Sequence, residues 1–504
     1  AGKTVFSARA RVVELLRESG DLDGEPRPVT RPVKFYERGD KPLEIVTSGQ
    51  WYIRNGGRDA RIRSELLERG RELNWHPAHM RVRYENWVAG LAGDWLISRQ
   101  RFFGVPFPVW YPVDASGSPV YSAPIVPSED VLPVDPVADP APGYDESQRG
   151  VPGGFIGDPD IMDTWATSSL TPLIVSRWGT DDGLFARVFP MDMRPQSHEI
   201  IRTWLFSTVT RAHFEFGSLP WSDTAISGWI LDPDRKKMSK SKGNVVVPTD
   251  LLEQYGSDAV RYWAANGRYG VDTAFDPGQL KVGRRLAIKI LNASKFVLSL
   301  PGPVGPVTVP VDRSLLASLD ALVGEASAAL SSYDHTGAIE AIERFFWMFC
   351  DDYLELVKAR AYSEDGAGGA SARSALRHAL SVLLRLFAPF LPFVTEEVWS
   401  WWQSGSVHAA AWPSLSPSEA DSQAGDPAVL AVAADVLGQV RKAKSAAKVS
   451  MRAEAARVVV LGPAPGVVRA SEGDLIAAGN IAELSVGHAA EFSTEVTLAE
   501  PVAS

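Results

Sequence analysis

The residues with the clearest capacity for chemistry lie in one basic segment, R-K-K-M-S-K-S-K-G-N, which ends at Asn244. Five of the eight residues from Arg235 to Lys242 are cationic, and serine hydroxyls lie between them. The D-P-D sequence at 232–234 predicts a turn just before this segment. A loop of this composition can hold a triphosphate, because fixed positive charge stabilises the charge that develops on departing pyrophosphate. A solvated basic loop or a nuclear-localisation-like run would have the same composition.

A strand-to-helix junction upstream is a second place where polar side chains meet regular structure. Residues 189–193 have the pattern of a strand end, and a helix rich in apolar residues is predicted over 199–214. The polar residues at 196–198 lie between the two. Open α/β sheets bind ligands where a strand ends and a helix begins, so this junction is a candidate ligand site.

Length and composition indicate an ordinary soluble globular protein. The 504 residues predict three or four domains at roughly 150 residues each. The chain has 45% hydrophobic and 22% charged residues and no run of about 18 apolar residues, so we expect no membrane partner. The first ten residues contain no apolar signal-peptide core, which predicts a cytoplasmic protein. The first residue is not methionine, which predicts a truncated or excised chain. The net charge of −10 argues against a wholly basic surface but allows local basic patches.

Cysteine and histidine usage predicts no metal centre. Cys350 is the single cysteine, which excludes an internal disulfide and a multi-cysteine zinc site. His76 and His79 have H-x-x-H spacing, but no carboxylate or cysteine pattern accompanies them. We therefore expect no zinc and name no metal ligand.

The chain after about residue 279 is predicted to form an all-α bundle. Amphipathic helices are predicted over about 280–298, 312–331, 337–361, 370–387 and 394–402. The first contains no acidic residue. Its basic residues Lys281, Arg284, Arg285 and Lys295 fall away from the apolar stripe, and Lys289 lies near the edge of the stripe. Such a row can follow an RNA backbone, although a solvated helix face looks the same. A basic helix and short apolar strands follow residue 426.

Several sequence strings together resemble a known family. D-W-L-I-S-R-Q at 94–100 with F-G at 103–104 resembles the D-W-x-I-S-R-Q-x-x-W-G segment of the Val/Ile/Leu subgroup of class I aminoacyl-tRNA synthetases. D-T-W-A-T-S-S at 163–169 is similar to its D-x-W-x-x-S-S segment, and R-P-Q-S-H-E-I-I-R-T-W at 194–204 resembles the valyl form of the strand-to-helix junction. K-M-S-K-S at 237–241 resembles the second class I signature. The valyl branch of this family is the best match.

Two family motifs do not occur in the chain. The H-x-G-H signature of the first half of the nucleotide fold is missing, and so is the H-D pair of the editing pocket. We therefore expect a C-terminal portion of a longer enzyme, with one half of an active site.

The resemblance implies an α/β plus all-α fold class. Residues 1–45 would be the tail of an inserted editing domain, and 46–278 the second half of a Rossmann-type catalytic domain. Within the latter we expect a loop-rich insertion at 112–157 and the basic loop at 235–244. Residues 279–425 would form a helical anticodon-binding domain, and 426–504 a small C-terminal α/β region.

The resemblance also implies a reaction. Valine would attack ATP, with Mg²⁺ assisting, to give valyl-adenylate, and the valyl group would then pass to tRNA(Val). Lys237 and Lys240 would be catalytic and bind the β- and γ-phosphates, with Ser239 and Ser241 adding hydroxyl contacts to ATP. The family places a carboxylate at Glu199, facing the substrate ammonium or the adenosine ribose; an ordinary helix N-terminal acid is the alternative.

The remaining expectations concern the amino-acid specificity, the tRNA-binding surface and the oligomeric state. Phe103, Ile200 and Trp204 would form a small apolar amino-acid pocket, unless they are plain core. The basic row from Lys281 to Lys289 would bind tRNA, and we expect a monomer.

Three alternatives stay open from the sequence. Isoleucyl or leucyl specificity is one, because one methylene changes binding by only about 1–3 kcal/mol. A tRNA-binding module that is inactive by itself is another. In the third, only the helical half folds, because a sheet without its first strands exposes an edge.

Overall fold

Short strands alternate with helices up to about residue 275, and long helices follow. The computed structural model describes residues 4–30, 32–35, 42–43, 48–239, 243–364, 366–414 and 425–499. The strands of the first region are β1 (Tyr52–Ile53), β2 (Asn74–His76), β3 (Trp95–Leu96), β4 (Ser98–Arg99), β5 (Trp110–Pro112), β6 (Phe155–Gly157), β7 (Ile161–Met162), β8 (Met191–Ser197), β9 (Trp221–Ser227), β10 (Ile230–Leu231) and β11 (Thr273–Ala274). Its helices are α1 (Val5–Ser19), α2 (Ala60–Glu72), α3 (Arg81–Ala89), α4 (Thr164–Ser168), α5 (Thr171–Val175), α6 (Asp182–Val188), α7 (Phe206–Phe216), α8 (Pro248–Tyr255) and α9 (Ser257–Ala265).

A parallel sheet of order β2-β9-β8 is the centre of the first region, within the part of the chain that the structure describes. Its apolar side chains pack with those of α2, α3 and α7, and the core they form includes Leu66, Tyr84, Leu205 and Trp221. Strand β8 pairs with β9 in parallel register, so Ser197 lies beside Ser227 at the carboxyl ends of the two strands. These adjacent strand ends position the candidate site.

The prediction of a single helix over 199–214 is wrong for its first two turns. Strand β8 continues to Ser197, a 3₁₀ turn covers His198–Ile200, a π turn covers Ile201–Leu205, and only then does α7 begin. Hydroxyls within this segment donate to nearby main-chain carbonyls, as Thr208 does to Trp204 at 2.6 Å. Such bonds compete with the regular helical ladder, which favours the irregular turns.

The loop-rich segment is closed by a short antiparallel pair of strands. β5 pairs with β6, and between them the described elements are 3₁₀ turns at Glu129–Val131 and Glu146–Gln148. A small core of Trp110, Ala141 and Phe155 lies beneath these loops.

The helical bundle follows the first region directly. Its helices are α10 (Pro277–Ser299), α11 (Pro310–Ser331), α12 (His335–Met348), α13 (Leu354–Tyr362), α14 (Ala367–Phe387) and α15 (Pro392–Ser400). A π turn, Phe349–Tyr353, interrupts the predicted continuous helix between α12 and α13. Among the described helices, α11 alone is long and apolar enough to cross a membrane by length and composition, and its residues Leu315 and Leu319 are fully buried in the bundle core.

A small α/β unit ends the described chain. It contains α16 (Pro427–Ala446), β12 (Ala455–Gly462), α17 (Pro465–Arg469), α18 (Glu472–Gly479), β13 (Ile481–His488) and β14 (Ser493–Leu498). Arg360 joins this unit to the bundle, because its guanidinium bonds Asp312 of α11 at 2.8 Å and Asp474 of α18 at 2.9 Å. The predicted fold class, α/β plus all-α with a small terminal α/β region, is confirmed.

Candidate active site

The basic loop folds back on itself at the end of the sheet. Strand β10 pairs with β11, and Lys237 returns antiparallel to Leu231. The Arg235 N–H donates to the Asp232 carbonyl at 2.9 Å and so closes the turn between Leu231 and Lys237. Arg235 has a φ of 63°, in the left-handed region. The D-P-D sequence therefore forms the predicted turn.

Asn244 ties the two ends of the loop together. Its side-chain amide donates to the Asp232 carboxylate at 2.8 Å, and its side-chain oxygen accepts the Ser239 N–H at 2.9 Å. The hydrogen bond from Asn244, followed by the one from the Lys236 N–H, lowers the pKa of Asp232. The final asparagine of the basic segment therefore has a structural role within the loop.

Lys237, Glu199 and Trp229 form a three-residue contact that we call the Lys237 clasp. The Lys237 Nζ lies 2.7 Å from Glu199 Oε1 and 4.3 Å from the centre of the Trp229 ring. The Trp229 indole N–H donates to the other carboxylate oxygen of Glu199 at 3.0 Å. The hydrogen bond from Lys237 is the main reason that the pKa of Glu199 is lowered. The clasp fixes the basic loop to the strand-to-helix junction.

The Trp229 side of the clasp rests on Asp272. The Trp229 main-chain N–H donates to Asp272 Oδ1 at 2.8 Å, and His198 Nε2 lies 3.5 Å from the same oxygen. The His198 ring also packs on the Trp229 ring at a centroid distance of 4.8 Å. A side chain at Gly228 would place its Cβ 2.2 Å from the Val271 carbonyl, so this close approach requires glycine.

The clasp leaves its charged groups accessible to a ligand. The side chains of Lys237 and Glu199 are 49% and 45% exposed. An ammonium group can pair with a phosphate, and a carboxylate can pair with a substrate ammonium or a ribose hydroxyl. In this arrangement the two groups pair with each other, so a triphosphate would have to replace Glu199 as the partner of Lys237.

The structure describes some of the predicted ATP ligands and not others. Lys237 and Glu199 are brought together, and the Ser239 main chain is held by Asn244. Lys240 and Ser241 lie outside the described residues, so their predicted roles stay predictions.

The residues that were predicted to line the amino-acid pocket have other neighbours than those expected. Phe103 is 90% exposed, so in this structure its ring cannot enclose a pocket. The centre of the Trp204 ring instead lies 3.3 Å from the Arg194 guanidinium carbon. The Trp204 indole N–H donates to the Ser168 carbonyl, at the end of α4, at 3.1 Å. Ile200 lies in the 3₁₀ turn and Trp204 in the π turn, so the α-helical i, i+4 argument for a shared face does not apply. A pocket at this junction stays a prediction, with Arg194 and α4 as the observed neighbours of Trp204.

Two polar residues of β8 that the sequence reasoning did not select have buried side-chain atoms: Gln196 is buried as a whole, and Arg194 is half-buried. Both polar side-chain atoms of Gln196, and Nε of Arg194, lack hydrogen-bond partners among the described residues. Burial lowers the pKa of Arg194. Buried polar atoms without partners are uncommon, and each calls for a partner such as an ordered water or a ligand. Their position just before the junction was the available signal, but strand periodicity alone does not show which polar residue is buried.

The positive charge of the predicted RNA-binding row on α10 is partly neutralised. Lys281, Arg284 and Arg285 are exposed. Lys289 forms an ion pair with Asp351 at 3.0 Å, and although burial opposes it, this contact raises the pKa of Lys289. Lys289 is therefore a weaker candidate for an RNA phosphate, because Asp351 of the π turn already compensates its charge.

The described residues contain no group of three or more histidine, cysteine or acidic side chains that could hold a metal ion. Cys350 is buried, and burial raises the pKa of its thiol to about 12. His76 bonds Asp223 at 2.8 Å. The expectation that no zinc is used stays a prediction.

Comparisons with known proteins agree with this architecture. Residues 37–276 match the family model of class I tRNA synthetases (I, L, M and V), and residues 312–460 match that of the anticodon-binding domain of tRNA ligases. The chain is 65% identical to a valine--tRNA ligase from Thermobifida fusca, over 99% of this chain and 57% of that protein. It is 59% identical to a valine--tRNA ligase from Salinispora tropica, over 99% of this chain and 61% of that protein. The chain thus spans less than two thirds of the length of these relatives.

Solved structures of similar fold are more distant in sequence. One is a leucyl-tRNA synthetase from Agrobacterium radiobacter in a ternary complex with tRNA and LeuAMS, with a TM-score of 0.51 and 23% identity over 64% of this chain and 42% of that one. Another is an apo methionyl-tRNA synthetase from Mycobacterium tuberculosis, with a TM-score of 0.50 and 19% identity over 69% of this chain and 62% of that one. At these identities the likeness concerns the fold alone.

Proposed function

The chain belongs to the class I tRNA synthetases (I, L, M and V), and we propose that it forms the phosphate-binding and anticodon-binding parts of an enzyme that joins valine to tRNA(Val). The observation that carries this proposal is the position of Lys237. Its ammonium group lies on a loop that is tied at both ends and fixed to the strand-to-helix junction through Glu199. A cation held at the carboxyl ends of parallel strands is suited to the phosphates of ATP.

In the proposed first step, a carboxylate oxygen of valine attacks the α-phosphorus of ATP. The bond from that phosphorus to the bridging oxygen breaks, and pyrophosphate leaves with the electron pair. The valine carboxylate is already ionised, so no general base is needed. Lys237 would share the charge of the triphosphate with a Mg²⁺ ion, and catalysis would come mainly from positioning and charge neutralisation.

Glu199 would then exchange one partner for another. When Lys237 moves to the β- and γ-phosphates, the Glu199 carboxylate loses its ammonium partner. A valine ammonium or a ribose hydroxyl can take that place, because both donate hydrogen bonds to a carboxylate. The clasp would thus couple the arrival of the phosphates to the release of Glu199.

In the second step the valyl group would pass from the adenylate to a hydroxyl of the terminal adenosine of tRNA(Val). The exposed cations Lys281, Arg284 and Arg285 on α10 support an RNA partner along the bundle. High identity to valine--tRNA ligases favours valine over isoleucine or leucine as substrate. Cytoplasmic location and a monomeric state stay predictions.

The test is amino-acid-dependent ATP–pyrophosphate exchange with valine, isoleucine and leucine. The chain is assayed alone and mixed with the remaining part of the Thermobifida fusca relative. We expect exchange with valine in the mixture only. Exchange that prefers isoleucine or leucine would contradict the substrate, and no exchange in a mixture shown to be folded and associated would favour a tRNA-binding module without catalysis.

Lys237→Ala tests the phosphate role in the active mixture. By analogy with a lost oxyanion donor, we expect a loss of about 2.7–4 kcal/mol of transition-state stabilisation, or about 100-fold to 1,000-fold in rate. The matched control is Lys236→Ala, because Lys236 is the adjacent lysine and its side chain reaches only Asp234, at 3.5 Å, among the described residues. Equal losses in both variants would contradict a specific role for Lys237.

A further inference from the structure

His198 is a titratable side chain at the candidate active site that the proposed mechanism does not use. It lies in the 3₁₀ turn between β8 and α7, directly before Glu199. Its side chain is 7% exposed, and its Nε2 lies 3.5 Å from Asp272 Oδ1. Burying an imidazole costs the hydration of its nitrogens, so its presence here indicates a compensating gain.

The main chain of Trp229 is held by residues other than His198. The Trp229 N–H donates to Asp272 Oδ1 at 2.8 Å, and the Thr273 N–H donates to the Trp229 carbonyl at 2.9 Å. The direction of the indole ring is then set by its side-chain torsions and by the groups that pack against it. The His198 ring is such a neighbour, with the two ring centres 4.8 Å apart and their planes inclined at 48°. His198 therefore restricts the rotation of the Trp229 ring.

Both contacts that Trp229 makes within the Lys237 clasp depend on the direction of its ring. The indole N–H donates to a Glu199 carboxylate oxygen at 3.0 Å, and the Lys237 Nζ lies 4.3 Å from the ring centre. A hydrogen bond weakens steeply as its angle closes, and a cation is attracted to the face of an indole ring rather than to its edge. Rotation of the Trp229 ring would therefore weaken both contacts at once.

The charge of His198 has a minor effect on Glu199. The charged neighbours of His198 include Asp272, from the segment before β11, and Glu199, on its own turn. The pKa of Glu199 is lowered mainly by the hydrogen bond from Lys237, and the charge of His198 contributes less than the bonds from Lys237 and Trp229. A ring without a titratable nitrogen should therefore preserve most of the effect of His198.

We infer that His198 is a positioning residue of the reaction: its ring holds the Trp229 side chain in the orientation that keeps Glu199 and Lys237 in place for ATP. The inference rests on the proposed function, which assigns ATP to Lys237 and Glu199. His198 acts through Trp229 rather than on the substrate. When the Trp229 ring is free to rotate, the ammonium and carboxylate groups remain but are less often in the reactive arrangement. We therefore expect kcat to fall, whereas the KM for ATP should not rise, because Lys237 has lost a competing partner.

Valine-dependent ATP–pyrophosphate exchange in the active mixture tests this role. For His198→Ala we expect kcat to fall about 2-fold to 12-fold, the effect of one packed pair of rings. His198→Phe keeps a ring beside Trp229 and should recover most of this loss. His213→Ala is the matched control, because the His213 side chain is 14% exposed and its Nε2 lies 3.2 Å from an acid of α2, Glu65. We expect the kcat of the control to stay within about twofold of the wild type.

A double-mutant cycle with Trp229→Ala separates this role from a general structural one. If His198 acts through Trp229, His198→Ala should cause no further loss of kcat once Trp229→Ala is present. Circular dichroism monitors folding, and His198→Gln, which has a polar side chain without a ring, replaces His198→Ala if that variant unfolds. Losses that add in the double variant, or a loss for His198→Ala no larger than that for His213→Ala, overturn the positioning role and leave the proposed function intact. No exchange by the folded and associated wild-type mixture overturns the proposed function itself.

Discussion

The Lys237 clasp predicts that removing the charge of Glu199 makes the docked basic loop less stable. Glu199→Gln keeps the shape of the side chain and an acceptor for Trp229 but removes the negative charge that pairs with Lys237. Both side chains are about half exposed, so the ion pair contributes about 0.2–1 kcal/mol. The contact of Lys237 with the Trp229 ring remains in the variant. We therefore expect the released loop to become about 1.4-fold to 5-fold more populated.

Hydrogen exchange measured by mass spectrometry on a peptide that covers residues 229–244 reports this release. The Ser239 N–H, which Asn244 accepts, and the Lys236 N–H, which Asp232 accepts at 2.7 Å, are protected while the loop is docked. Faster exchange in Glu199→Gln than in the wild type is the expected result. Glu253→Gln is the control, because Glu253 is an exposed acid on α8 outside the clasp.

The pH dependence gives the same prediction a second readout. The pKa of Glu199 is lowered from its ordinary value of 4.5, mainly by the hydrogen bond from Lys237. The stabilisation by the clasp is therefore complete above pH 4.5 and is lost as the pH falls through the lowered pKa. After correction for intrinsic exchange, the wild-type loop should lose more protection in this window than Glu199→Gln. The remaining loss in the variant comes from Asp232, whose pKa is also lowered and whose carboxylate accepts the Lys236 N–H. Identical exchange and identical pH response in the two proteins would refute the clasp.

Three further predictions concern the bundle, the terminal α/β unit and the basic helix α10. Arg360→Met leaves the fully buried Asp312 without its cation, so the free energy of unfolding measured with urea should fall by about 3–5 kcal/mol. Lys444→Met removes a buried ammonium that bonds two main-chain carbonyls, at 2.7 and 3.0 Å, and should cost about 1–3 kcal/mol in the same assay. Arg285→Ala should lower the salt slope of tRNA binding by about one contact, whereas Lys289→Ala should change it less, because Asp351 already pairs with that lysine. A larger effect of Lys289→Ala would contradict this assignment.

Local patterns in the sequence predicted the elements that depend on local periodicity. The apolar spacing along α10 and α14 predicted long bundle helices, because a helix that buries one face repeats its apolar residues every three to four positions. The D-P-D turn and the basic segment predicted the loop around Lys237 for the same reason, since turn chemistry is a property of a few adjacent residues.

The irregular strand-to-helix junction was not predictable in this way. The single helix predicted over 199–214 became a 3₁₀ turn, a π turn and α7. The Trp204 ring there is held by Arg194 of β8 and by the carbonyl of Ser168, 36 residues earlier. Local propensity does not contain such contacts.

The sequence by itself determined the family, the order of the α/β and helical regions and the identity of the basic loop, because these depend on contiguous strings. Only the tertiary structure decided the partners of the charged groups. Glu199 meets Lys237 across 38 residues, and Lys289 meets Asp351 across 62. Charge complementarity permits many such pairs, and the packing of strands and helices selects the pairs that form.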